Sequence, residues 1–235
     1  MMRLNKYLAK AGIASRRKCD EFIINGKIMI NGETVTNFGY RVKNDDIVTF
    51  EGKVVNESSD IIYILNKPKG YVCSNKEQFK RKTVFDLIDS DKRLFTIGRL
   101  DRDTTGLLLI TNNGDLSYKL THPKFEVERR YYVVSNIDIS VESCSKLKKG
   151  IRLENGMHAK ADLKKMYKEK NKIYWDISLN EGKNREIKKI FLHFESKVID
   201  LHRYKFANME LKSLKIGKYR KINTKEFEFL NRLSI

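Results

Sequence analysis

The stretch Gly98-Arg99-Leu100-Asp101-Arg102-Asp103-Thr104-Thr105-Gly106 sets two carboxylates among two arginines, with a glycine at each end. The apolar run Leu107-Leu108-Leu109-Ile110-Thr111 follows at once. A run of this length bounded by turn residues reads as a buried strand. A loop anchored on such a strand can hold a side chain still enough to react. Asp101 and Asp103 are therefore candidate nucleophiles or general bases. Arg99 and Arg102 are local cations that would keep a buried carboxylate ionised. Pattern alone favours a simpler role, because an Asp in a glycine-flanked loop commonly bonds its own backbone.

Two further segments carry chemistry-bearing residues. In "EGKNREIKKIF", residues 181–191, helical spacing over 184–194 puts Lys188, Phe191 and Leu192 near one face, while Lys189 points elsewhere. That arrangement turns Lys188 inward; the bland alternative is an exposed helix cation. In "VERRYYV", strand alternation puts Tyr131 and Tyr132 on opposite faces, one free to stack on a ligand and the other a core strand tyrosine.

The elements that must position these residues fall into two groups. Residues 1–56 read as a small separate unit. Leu4, Tyr7, Leu8 and Ala11 have helical spacing over 3–11, stopped by Gly12, and Ser15 can cap a second helix over 16–24. Ile28-Met29-Ile30, Asn31-Gly32 and Thr34-Val35-Thr36 form a β-hairpin pattern with a tight turn, and 48–50 and 54–55 supply short strands. Arg16, Arg17 and Lys18 occupy the first turn of the second helix, where cations oppose the helix dipole. A phosphate partner would explain them, although a solvated face is the commoner reason for such a triplet.

After a polar linker at 56–60, one continuous domain is expected from 61 to 235. It holds strands at 61–65 and 71–74 around an "NKPKG" turn at 66–70, and a short helix at 83–88. A strand at 107–111 leads through a turn at 112–114 to a helix capped by Asp115. Strands at 128–134, 173–179 and 197–202, and a helix at 141–149, complete the pattern. Few crossover helices point to an α+β class with a mainly antiparallel sheet. The basic stretch 75–82 is expected to be an irregular RNA-contacting loop.

The chain has 235 residues and a formal net charge of +18, and its aromatic content of 10% fits a folded protein. A folded basic protein points to a polyanion, most often nucleic acid. Residues 183–221 carry 12 Lys or Arg against 4 Asp or Glu, and residues 1–56 carry 10 against 6, so the stronger footprint lies in the second domain. Cys19, Cys73 and Cys144 are far apart, and His122, His158, His193 and His202 have no zinc spacing. These features imply a reducing cytoplasm, no metal and no disulfide framework. No apolar run reaches membrane-span length, and the amino terminus lacks the apolar centre of a secretory signal. A monomer is the default.

The whole segment 98–114 closely resembles the signature loop of the pseudouridine synthases of the RsuA/RluB/RluE/RluF family. "NKPKG", "THPKF", "VERRYYV" and "EGKNREIKKIF" match further motifs, so the resemblance covers nearly the full length. It implies a reaction that detaches a uracil, turns it and rejoins it through carbon, with no cofactor. Asp101, the Asp of "GRLD", would act toward the ribose as nucleophile or base. Asp103 matches a variable position. Lys188 would pair with the catalytic carboxylate, and Tyr131 would stack on the base. The family's usual Lys is Arg129 here, and the usual Asp is Asn113.

The segment "RLNKYLAKAGIASRRKCDEFIINGKIMINGETV" resembles the S-four-type RNA-binding domain, which implies that Lys6, Arg16, Arg17, Lys18 and Lys27 line an RNA face. With the charge distribution, Arg99, Arg102, Lys183 and Arg185 join them as expected RNA contacts. The leading expectation is a ribosomal RNA pseudouridine synthase; the alternative is a silent ribosome-assembly factor on the same scaffold. "YVCS" and "VIDLHR" resemble members acting on small-subunit RNA, and "KTVFDLI" and "GIRLENG" those acting on large-subunit RNA, which is slightly favoured.

Overall fold

The computed structural model describes residues 1–75, 79–154 and 156–232. Part of the expected RNA loop (76–78) and Asn155 of "GIRLENG" lie outside these. Contacts divide the chain into two units: Met1–Ile61 with Ser90–Leu94 and Asn112–Gly114, and the remainder.

The first unit contains β1 (Met2–Arg3), α1 (Leu4–Lys10), α2 (Arg16–Ile24), β2 (Ile28–Ile30), β3 (Glu33–Thr34), β4 (Arg41–Val42), β5 (Val48–Phe50) and β6 (Lys53–Val54). The Ser15 hydroxyl accepts the Lys18 N–H at the start of α2. Asn31 and Gly32 both take positive φ, 52° and 87°, in the two-residue turn of the β2–β3 hairpin. That is what a primed turn requires and what Asn-Gly supplies. Leu4 and Leu8 of α1, Cys19 and Ile23 of α2, and Ile28, Ile30 and Val48 of the sheet form one buried core.

The second unit is built on a large sheet. Its elements are β7 (Ile62–Lys67), β8 (Phe95–Ile97), β9 (Thr105–Thr111), α3 (Gly114–Thr121), β10 (Arg129–Ser135), α4 (Val141–Lys149), β11 (Ile151–Arg152), β12 (His158–Ala159), β13 (Asp162–Glu169), β14 (Lys172–Leu179), α5 (Glu186–His193), β15 (Val198–Phe206), β16 (Met209–Glu210), β17 (Tyr219–Lys221) and α6 (Thr224–Arg232). The strand order is β13-β14-β10-β15-β9-β7-β17, with β8 on β9 and β16 on β15. Among the described residues, only the β15–β9 pairing is parallel within this sheet. The chain is thus α+β with a mainly antiparallel mixed sheet. Every residue of β7 and β9 is buried, as continuous apolar runs demand. Ile62, Ile64, Leu107 and Leu109 pack with Leu116 and Leu120 of α3, Phe206 of β15 and Leu230 of α6.

Several expectations are corrected. Strand β7 runs through Asn66 and Lys67 instead of ending at Leu65, because Leu107 and Gly106 continue the ladder opposite them. Residues 71–74 form no strand; Val72 makes an isolated bridge to Thr83. Residues 84–87 make a 3-10 turn closed by a Thr83–Asp86 capping box. Asp115 lies inside the first turn of α3, which begins at Gly114, so it does not cap the helix from outside. Leu192 is 68% exposed while Phe191 is fully buried, so the inward face of α5 is Ile187, Ile190 and Phe191.

Candidate active site

The loop between β8 and β9 is fixed from below by a lysine. Lys67 is completely buried at the end of β7. Its Nζ donates to the carbonyl oxygens of Asp101 (3.0 Å), Arg102 (3.4 Å), Thr104 (2.8 Å) and Pro68 (3.0 Å). Burial pushes its pKa down, while the nearby Asp101 and Asp103 act in the opposite sense. Carbonyl dipoles thus do most of the solvating of a charge removed from water. The Gly70 N–H donates to the Arg102 carbonyl, and the Thr104 N–H to that of Asp101, closing the turn. On the other flank the Leu100 N–H donates to Cys73 Sγ at 3.5 Å, and Sγ donates back to the Leu100 carbonyl at 3.4 Å.

Gly106 admits the central strand. Its φ is +109°, and a Cβ there would lie 2.2 Å from the Arg203 carbonyl oxygen. Arg203 is 2% exposed; its Nε donates to the Leu107 carbonyl, and its guanidinium carbon lies 5.9 Å from the Tyr131 ring centre. Tyr131 and Arg203 are partners in the β10–β15 register, so they share a face. Tyr131 is 7% exposed. Tyr132, on the opposite face, is half-exposed and stacks on Tyr204 with ring centres 4.1 Å apart.

Lys188 projects from the first turns of α5 to the loop. Its Nζ lies 2.7 Å from Asp103 Oδ2 and 3.5 Å from Asp101 Oδ2. The Lys188 side chain is 16% exposed, that of Asp101 40% and that of Asp103 69%. The hydrogen bond from Lys188 holds the Asp103 carboxyl below the usual carboxylate range. Arg185, the residue just before α5, is left-handed with φ 53°. Glu186, 3% exposed, accepts the Lys183 N–H at 2.9 Å, and burial pushes its carboxyl up. One cavity is lined by Arg99, Asp101, Tyr131, Lys183, Arg185, Glu186 and Lys188. A carboxylate, an ammonium and an aromatic ring thus face one concave space, enough for acid–base or nucleophilic work beside a stacking surface for a planar group.

The RNA pseudouridylate synthase family model matches residues 61–193, more than half of the chain. The chain belongs to the RNA pseudouridylate synthase family. An S4 domain model matches residues 2–48. A relative from Bacillus subtilis, a ribosomal large subunit pseudouridine synthase B, is 37% identical over 100% of this chain and 97% of its own. A dual-specificity RNA pseudouridine synthase RluF from Escherichia coli is 34% identical over 96% of this chain and 77% of its own. The solved structure of a pseudouridylate synthase superposes with a TM-score of 0.70 at 29% identity, covering 98% of this chain and 100% of that one. The protein is accordingly an RNA pseudouridine synthase, an isomerase.

Within this synthase the expected site residues divide as follows. Asp101, Tyr131 and Lys188 meet at one cavity, and Arg99, Lys183 and Arg185 join its wall. Arg99 and Arg102 are both exposed, and the ammonium beside the Asp101 carboxylate is that of Lys188. Lys183 Nζ donates to the His158 carbonyl and the Glu181 carboxylate. In the first unit, Lys6 and Arg16 line a cavity of about 630 Å³ together with Arg3, Arg41 and Lys43. Arg17, Lys18 and Lys27 are exposed; Lys18 pairs with Glu21 and Lys27 with Glu51. Arg129 is buried and donates to the carbonyls of Leu120, Val127 and Asn180, which is structural work.

Sequence reasoning missed Lys67, Glu186 and Arg203. A lysine beside a proline reads as part of a turn, and only the pairing of β7 with β9 buries it. The signal for Arg203 was weak: one arginine in a half-apolar strand.

Proposed function

We propose that the protein isomerises a specific uridine of large-subunit ribosomal RNA, with Asp101 acting on the ribose, Tyr131 stacking on the uracil and Lys188 pairing with the catalytic carboxylate. The single observation that carries this is the convergence of the three side chains on one cavity, over a loop pinned by Lys67. The relative from Bacillus subtilis is named as a large-subunit enzyme, which supports that substrate. Residues 1–56 act as the RNA-docking domain and 61–235 as the catalytic domain. Lys6, Arg16, Arg17, Lys18 and Lys27 of the first, and Arg99, Arg102, Lys183 and Arg185 of the second, contact phosphate. A net charge of +18 suits that task. The enzyme works as a cytoplasmic monomer without metal or cofactor.

Flipping a uridine out of folded RNA costs a few kcal/mol, so phosphate contacts must offset the unstacking. The decisive experiment incubates the protein with unmodified ribosomal RNA of each subunit and maps pseudouridine chemically. Asp101→Asn should abolish modification, by at least about 100-fold, while RNA binding persists. Binding without modification on both RNAs would instead fit an assembly factor.

A further inference from the structure

One ammonium serves two carboxylates here, and it sits nearer the one the proposed chemistry does not use. Lys188 Nζ is within hydrogen-bond length of Asp103 Oδ2, at 2.7 Å, and short of it with Asp101 Oδ2, at 3.5 Å. We propose that Asp103 is a positioning residue: it parks Lys188 in the RNA-free protein and yields it to Asp101 when RNA phosphate arrives. The inference rests on the role assigned to Asp101 above.

Three observations support it. Asp103 is the more exposed carboxylate, 69% against 40%, so an approaching polyanion repels it first. The cavity beside Asp101 is lined by Arg99 and Arg185, and the Arg185 charge also acts on the Asp103 carboxyl, so phosphate is drawn close to both carboxylates. Lys67 grips the carbonyls of Asp101, Arg102 and Thr104, leaving the backbone little freedom. The exchange is therefore a side-chain rotation of less than about 1 Å at the ammonium, well within the reach of a rotamer adjustment. A single protein thus avoids a fully formed Asp101–Lys188 pair until there is a sugar to act on.

The test compares wild type with Asp103→Asn, Asp103→Ser and Asp103→Glu. Affinity for unmodified large-subunit RNA is measured by filter binding across a salt series, and the rate of pseudouridine formation by single turnover at saturating RNA. Losing the exposed negative charge should tighten binding about 2- to 5-fold at low salt. The saturating rate should be equal or higher, and Asp103→Glu should return to wild-type behaviour. Melting temperatures confirm folding, and the Ser variant decides if the Asn variant melts early. Unchanged or weaker binding by a folded variant overturns the proposal, as does a fall in saturating rate. Wild type that forms no pseudouridine overturns the role of Asp101 instead, and the binding series still decides Asp103.

Discussion

The Lys67 ammonium donates to the carbonyl oxygen of Thr104 at 2.8 Å, joining the end of β7 to the start of β9 from inside the sheet. This contact, with its companions to Asp101 and Arg102, converts a polar loop into a fixed platform. Replacing Lys67 with Met keeps the volume and removes the donors. The stranded carbonyls should cost about 1–3 kcal/mol, read as a lower melting temperature. Activity should fall further than RNA affinity, because the loop carrying Asp101 loses its anchor. Unchanged melting would show that water replaces the ammonium.

Gly106→Ala should be the most damaging single change. The added carbon meets the Arg203 backbone at 2.2 Å, and the positive φ disfavours any side chain. A loss of at least about 3 kcal/mol is expected, with separation of β9 from β15. Soluble expression and circular dichroism melts report it.

The two neighbouring tyrosines should separate cleanly. Tyr131→Ala should lower kcat/KM by about 1–3 kcal/mol of stacking free energy. Tyr131→Phe should recover most of that, since the ring is retained. Tyr132→Ala, on the far face against Tyr204, should leave kcat/KM within about 3-fold and instead cost stability through the lost ring pair. Equal kinetic effects from both alanines would contradict the face assignment.

Acid should weaken the carboxy-terminal helix. Arg220 donates to both Glu226 carboxylate oxygens at 2.7 Å, and these bonds hold the Glu226 pKa below its ordinary 4.5. A carboxylate with a lowered folded-state pKa contributes stability that is present above pH 4.5. That contribution is lost as pH falls through the lowered value. The effect should be about 1 kcal/mol after solvent screening. Glu226→Gln should reduce stability at pH 7 and flatten its dependence below pH 4.5, measured by urea midpoints across pH.

What could be read from the sequence follows from which physical signals are local. Helix α4 carries a capping serine, a basic last turn and a terminal Gly150, and its limits matched the expected 141–149. Strand β10 alternates buried and exposed residues along its length, so the opposite faces of Tyr131 and Tyr132 were legible. Strand β13 was not, because it is an edge strand whose residues 164–169 are all exposed and largely charged. Strand β17 has no such signal either, being a three-residue segment with two charges. The meeting of Asp101 with Lys188 came only through family resemblance: 87 positions of chain separate them, and no spacing rule spans that. The burial of Lys67 had no sequence signature at all.

Strand β15 lies between β10 and β9, although it is synthesised last of the three. Gly106 and Arg203, which meet across that seam, are separated by much of the second unit. Translation must therefore pass residue 206 before the middle of the sheet can close and the loop bearing Asp101 can gain its second support. Nascent chains shorter than this hold an open strand edge, so the active loop gains its full support only once β15 has been made.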